Sequence, residues 1–300
     1  MTDNLRGVWY MALATFLFAL MTVFVKLVPG IPALEIIFFR AVIATVLSLY
    51  GLKKAGVPVF GNNKPMLILR GIAGVIALAL NFYLIQEIPL ATASTLTYLA
   101  PISTTLIGIY FVQERIMPIQ VLFFMISFSG ILVIQGFDVR VTWFHLGVGL
   151  ITSLFMGLAY NCVRKLSSSE HPLVIIFYFP LVCLPLTGGW SFLHWVQPQG
   201  WEWIYLLMVG ISSQMAQYFM TRAYQLAEIA TVSIVNYTGI IYSIILGYII
   251  FDEGFNLMTY AGMLLVLFGV CLNIVLKQDR QSLLRMFRLL FPEKSSKRGQ

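Results

Sequence analysis

Residues 91–114, ATASTLTYLAPISTTLIGIYFVQE, set against residues 230–253, ATVSIVNYTGIIYSIILGYIIFDE, decide the fold. The two stretches lie 139 residues apart, and seven of their 24 aligned positions are identical. The identities include Ala, Thr, Ser, Tyr, Gly and Glu, which an apolar composition alone does not place at one fixed offset. Outward from this block the same offset holds. LEIIFF at 34–39 meets LVIIFY at 173–178, Gly71-Ile72 meets Gly210-Ile211, Gln86 meets Gln225 and Gly130 meets Gly269. The chain is written twice.

Composition says what solvent the repeated unit lives in. Of 300 residues, 59% are hydrophobic and 10% are charged, far from the quarter or so charged residues of a soluble domain. Ten apolar segments are each long enough to cross a hydrocarbon layer of about 30 Å as helices. They fall near 7–27, 33–52, 66–86, 90–111, 118–136, 145–164, 172–193, 203–222, 229–250 and 257–276. The first is too long for the apolar core of a cleavable signal and lacks a small-x-small cleavage site, so it reads as a span. With the N-terminus cytoplasmic, 16 of the 19 basic residues fall inside and only Lys26 and Arg140 outside, with Arg40 in a span. The expectation is an all-α integral membrane protein with both termini in the cytoplasm of a cell membrane.

Each copy holds five spans, an odd number, so the second enters the membrane from the opposite side to the first. Residues 1–137 form the first repeat, 138–276 the inverted second repeat and 277–300 a basic tail. Two halves of opposite topology are a common construction of secondary transporters, with the site between the repeats near the midplane. In the tail, Leu283, Leu284, Phe287, Leu290 and Phe291 share a helical stripe beside Arg285 and Arg288. That pattern suits an anionic cytoplasmic leaflet, or serves simply as a topology anchor. It offers no surface for nucleic acid.

The five-plus-five plan, the arginine in the second span, and the ATASTLTYLAP…VQE block with its FDE-ending echo resemble the EamA-type drug/metabolite transporter superfamily. The resemblance covers residues 7–276 and departs from the pattern at Ile240, which stands where the first repeat has Pro101. It implies two inverted bundles around a central cavity. It also implies ATP-independent movement of a small metabolite, with no cofactor.

Candidate site residues are polar side chains far from span ends, because an amide or charge facing lipid has no partner. Asn81 lies in span three and Tyr98 in span four; Gln214 and Gln217 share a face of span eight, and Asn236 and Tyr237 lie in span nine. The two tyrosines are repeat equivalents. Arg40 lies about 11 Å along its span by helix rise, at the depth of Asn81 and Tyr98, which could accept its hydrogen bonds. Glu35 is badly placed around the helix to do so. The second repeat has Phe179 in place of Arg40, so the arginine is either a site or gate residue or a structural clamp. The site reading expects Arg40→Ala to impair transport and Phe179→Ala to leave it intact. Pro101 removes one backbone bond and predicts a mid-span kink. Glu114 and Glu253 each close a span and read as turn-fixing residues. The small-residue stripes Ala100-Thr104-Gly108 and Gly239-Ser243-Gly247 predict close helix packing.

The rival classes leave little trace. HExxH, GxSxG and GxxxxGK are absent from the sequence, and no acidic pair lies mid-span. Cys162, Cys183 and Cys271 sit singly in three different spans, with neither disulfide nor metal-ligand spacing. A channel would show a filter or rings of charge. An amino acid or related amphipathic metabolite fits the aromatic and basic groups, whether for efflux or uptake. So does a nucleoside-like one such as S-adenosylmethionine.

Overall fold

The computed structural model describes residues 3–111, 118–166, 169–226 and 235–290, and among them every regular element is a helix. This follows from the solvent: in hydrocarbon a helix satisfies each backbone group within its own segment. The first repeat contains α1 (Asp3–Lys26), α2 (Ala33–Ala55), α3 (Lys64–Glu87), α4 (Leu90–Thr97), α5 (Ala100–Phe111) and α6 (Pro118–Phe137). The second contains α7 (Trp143–Leu166), α8 (Pro172–Leu193), α9 (Glu202–Leu226), α10 (Thr238–Phe251) and α11 (Leu257–Leu290). Local chemistry sets several ends. Gly56, with φ of 64°, closes α2 by donating its N–H to the carbonyls of Leu52 and Lys53. Asn63 opens α3 by accepting from the Met66 N–H, with Pro65 in the first turn.

Seven of these segments, α1 to α3, α4 with α5, and α6 to α8, are long and apolar enough to span a membrane. Helices α9, α10 and α11 complete the ten. The last continues without interruption to Leu290, so the first part of the basic tail extends span ten and is not a separate helix.

The packing preserves the repetition. The most extensive contacts join α1 to α9, α6 to α11, α3 to α7 and α2 to α8, followed by α5 to α7, α2 to α9, α3 to α8, α1 to α10 and α4 to α10. Exchanging each helix for its repeat equivalent turns α1–α9 into α7–α3, and α2–α9 into α8–α3. The pairs α2–α8 and α6–α11 map onto themselves, and α5–α7 becomes α10–α1. Nearly every large interface therefore lies between the repeats. Their shared core gathers Phe82, Leu84, Ile85, Leu90 and Leu96 of the first half with Cys183, Val209, Tyr237 and Val266 of the second. Small residues permit the approach at the α6–α11 crossing, where a Cβ on Gly130 would lie 2.6 Å from the Gly262 carbonyl oxygen.

Span four is broken. Helix α4 ends at Thr97, Tyr98 and Leu99 form a turn, and α5 resumes at Ala100. Pro101 is thus in the first turn of a new helix, where its missing N–H costs little, and not at a kink within one. The same break recurs at Tyr237, ahead of α10, although that repeat has Ile240 in place of proline. Backbone angles agree: φ −72° and ψ 3° at Tyr98, φ −71° and ψ −11° at Tyr237. The break belongs to the repeated unit, and proline is not its cause.

Candidate functional site

Two broken spans place two tyrosines against each other. The rings of Tyr98 and Tyr237 lie 5.0 Å apart at a tilt of 47°, and the Tyr98 hydroxyl donates to the Asn236 carbonyl at 3.0 Å. Thr97, one residue earlier, donates to Asn81 Oδ1 at 2.7 Å. Asn81, Tyr98, Asn236 and Tyr237 therefore form one connected group across α3, α4 and the start of α10. The second small-residue stripe packs on α4: Gly239 leaves room for the Tyr98 hydroxyl, and Ser243 pairs with Ser94 at 2.7 Å. Gln214 is elsewhere, donating to Ser48 Oγ of α2 at 3.3 Å, and Gln217 lies half-buried nearly a turn further along α9.

Arg40 does not join the tyrosines. It is 6% exposed, and its guanidinium carbon lies 5.3 Å from the centroid of the Phe179 ring, its own repeat equivalent. Arg70 of α3 lies over the same ring at 4.5 Å. The expectation that Asn81 and Tyr98 would hold Arg40 gives way to this arrangement, because α2 packs on α8 along the axis relating the repeats. The expectation for Phe179 changes with it: the residue is the common neighbour of two cations. Glu35 stays apart, accepting from the Val196 N–H at 3.0 Å. None of the ion pairs among the described residues involves Arg40 or Arg70.

A third group closes the end where α1, α3, α4 and α10 meet. Lys26 Nζ lies 2.6 Å from Glu253 Oε1 and donates to the Ile88 carbonyl at 2.6 Å. Glu253 Oε2 accepts from the Leu90 N–H at 2.7 Å, capping α4. Gln86 donates to the carbonyls of Val28 and Ile31 beside it. Glu253 thus does more than fix its own turn; it caps a helix of the other repeat. Its equivalent Glu114 lies outside the described residues, while Lys165, the equivalent of Lys26, sits 5.5 Å from the Phe111 ring as Lys26 sits 5.5 Å from Phe251. Next to this seam Arg140 donates to both Asp138 oxygens and to the Gly254 carbonyl. The hydrogen bonds to Asp138 raise the Arg140 pKa above its ordinary value.

Sequence reasoning missed Lys26, Arg70 and Phe179. Lys26 and Arg70 counted as topology markers near span ends, yet Arg70 is the seventh residue of α3 and Lys26 closes a span, each at a depth a helix rise would reveal. Phe179 had no signal beyond its alignment with Arg40.

A sequence profile of the EamA-like transporter family matches residues 5–136 and again residues 143–275. The chain is 33% identical to the pseudopaline exporter CntI of Pseudomonas aeruginosa over 267 residues, covering 87% of this chain and 93% of that one. It is 24% identical to human solute carrier family 35 member G1, over 87% of this chain and 76% of the relative. It is 20% identical to an S-adenosylmethionine uptake transporter of Rickettsia felis, over 73% and 75%. A crystal structure superposes with a TM-score of 0.64 at 18% identity, over 92% of this chain and 98% of the other, which supports the fold. A doubled helical unit, contacts that exchange between its copies and a family match to each copy lead to one assignment. The chain belongs to the EamA-like transporter family of the drug/metabolite transporter superfamily, and is a multi-pass membrane transporter, not an enzyme.

Proposed function

We propose that the chain is an ATP-independent carrier that moves a small metabolite, an amino acid or related amphipathic compound, by alternating access between its two repeats. The observation that carries this reading is the exchange of the large helix contacts under the repeat swap. Two similar halves that pack mainly on each other can trade conformations, so that the inward-open and outward-open states lie close in energy. Asn81, Tyr98, Asn236 and Tyr237 then line the path at the paired breaks, with Gln214 and Gln217 further along it. Their amides and hydroxyls are the donors and acceptors an amphipathic solute needs, and the ring faces cover its apolar part. In the topology with both termini cytoplasmic, Lys26 and Glu253 lie at the outer end and form the closed outer gate. The basic tail then meets the anionic inner leaflet.

The relative named for S-adenosylmethionine uptake favours a second reading, uptake or exchange of a nucleoside-like metabolite. One experiment addresses both. The full chain is reconstituted in liposomes loaded with single metabolites, and counterflow of labelled amino acids and of S-adenosylmethionine is measured without ATP. Saturable exchange above empty liposomes is expected, with the preferred solute choosing between the readings. Exchange that requires ATP, or none above empty liposomes across the panel, overturns the proposal.

A further inference from the structure

Two cations share one aromatic ring between the helices of this protein, and among the described residues no ion pair accompanies them. Arg40 comes from α2, Arg70 from α3 and Phe179 from α8. Their guanidinium carbons lie 5.3 Å and 4.5 Å from the centroid of that one ring. The Nε of Arg40 and the Nε and Nη1 of Arg70 are buried without a hydrogen-bond partner. The one acid on the same helix, Glu35, is engaged at Val196 and forms no ion pair with Arg40. Buried cations are ordinarily paired, because desolvation of a lone one is expensive and attraction to a ring recovers only part of it. Here the ring takes part of the charge and uses none of the N–H donors. What is left over is a set of unpartnered charged donors beside one ring, suited to oxygen atoms, the groups that guanidinium binds in bidentate fashion.

The ring is held in place by design of the neighbouring helix. A Cβ on Gly74 of α3 would lie 2.7 Å from the Phe179 ring, and a Cβ on Gly71 would lie 2.6 Å from Val182. Both glycines let α8 press its side chains onto α3, which brings Phe179 to Arg70. The cluster also lies where α2 meets α8, one of the interfaces that maps onto itself when the repeats exchange.

We propose that Arg40, Arg70 and Phe179 bind an oxyanion, carboxylate or phosphate, carried by the transported metabolite, so that the substrate is a small organic anion or bears an acidic group. This rests on the transport reading above and adds the substrate's charge to it.

The test uses the purified full chain and its melting temperature in the presence of succinate and glycerol 3-phosphate, each set against its neutral counterpart, succinamide or glycerol, and against inorganic sulfate. One of the organic anions raises the melting temperature in wild type, and its neutral counterpart does not. The apparent affinity falls at least about tenfold in Arg40→Gln and in Arg70→Gln. The empty variants melt at or above the wild-type temperature, since each loses an uncompensated buried charge; a purely structural clamp would lower it. Arg70→Lys, which keeps the charge but not the fork, loses affinity without losing stability and serves if the glutamine variant does not accumulate. The proposal is overturned if neutral counterparts stabilise equally, if only sulfate stabilises, if no probe does, or if the arginine variants keep the shift.

Liposome exchange separates the two levels of the argument. An anion that binds in an arginine-dependent way but never exchanges leaves the site standing and defeats the transport reading. A neutral solute that exchanges at an unchanged rate in Arg70→Gln defeats the site and leaves transport standing.

Discussion

The hydroxyl of Tyr98 occupies the space that a side chain at position 239 would fill. Gly239→Ala should therefore lower stability by about 1–3 kcal/mol through overpacking. Tyr98→Phe, which gives up the bond to the Asn236 carbonyl, should cost about 1 kcal/mol. The double variant should be more stable than the sum predicts, because the phenyl ring vacates the contested space; thermal melts of the four proteins check this, and strict additivity would contradict it. At this scale the sequence revealed the two tyrosines through their equivalence but not their contact, which depends on α4 meeting α10. Arg70 stayed hidden for a different reason. A basic residue near a span end counts towards the positive-inside rule whether it faces headgroups or, as here, packs over a ring between helices.

Helix α4 and the start of α10 show how far a motif can mislead about a whole element. Proline in mid-span is a sound reason to expect a kink, and the chain does break nearby. The break recurs at Tyr237, however, where the Ile240 N–H donates to the Tyr237 carbonyl at 3.1 Å. Pro101→Ala is accordingly expected to keep the turn at Tyr98–Leu99 and to change stability by less than about 1 kcal/mol, since proline in a first helical turn forfeits little. Amide exchange at Leu99 and Ile102 should distinguish the outcomes. Strong protection appearing throughout 97–103 would mean a continuous helix and would return the cause to proline. Span existence was legible because apolar length is a strong signal; the interruptions were not, because the weak helix formers beside them, Thr97 and Pro101 in one repeat and Asn236, Thr238 and Gly239 in the other, are also tolerated within unbroken spans.

Across the whole molecule, the seam of Lys26, Glu253 and the α4 N-terminus joins the halves at one end. The side chains of Lys26 and Glu253 are 15% and 7% exposed. Lys26→Met leaves the carboxylate buried against one backbone N–H and should cost about 3–5 kcal/mol. Adding Glu253→Gln should recover much of that loss, because the amide oxygen still caps Leu90 and no charge is stranded. If the double variant is as unstable as the single one, the ion pair itself is the stabilising element. The repeat plan was readable from the offset in the sequence, and the five-helix unit with it. The seam was not, because it joins residues 26, 88, 90 and 253 through three loops that no periodicity describes.

That seam also bears on how the protein is made. Synthesis proceeds from the N-terminus, so all five spans of the first half reach the membrane before residue 253 exists. Until then Lys26 lacks its counter-charge and the first N–H of α4 lacks its cap, while most of the surfaces the first half buries still await α7 to α11. A fragment ending at residue 137 should thus be a client of quality control, degraded or held by chaperones, and should be rescued when residues 138–300 are co-expressed as a separate chain. The two copies are one folding unit that arrives in instalments.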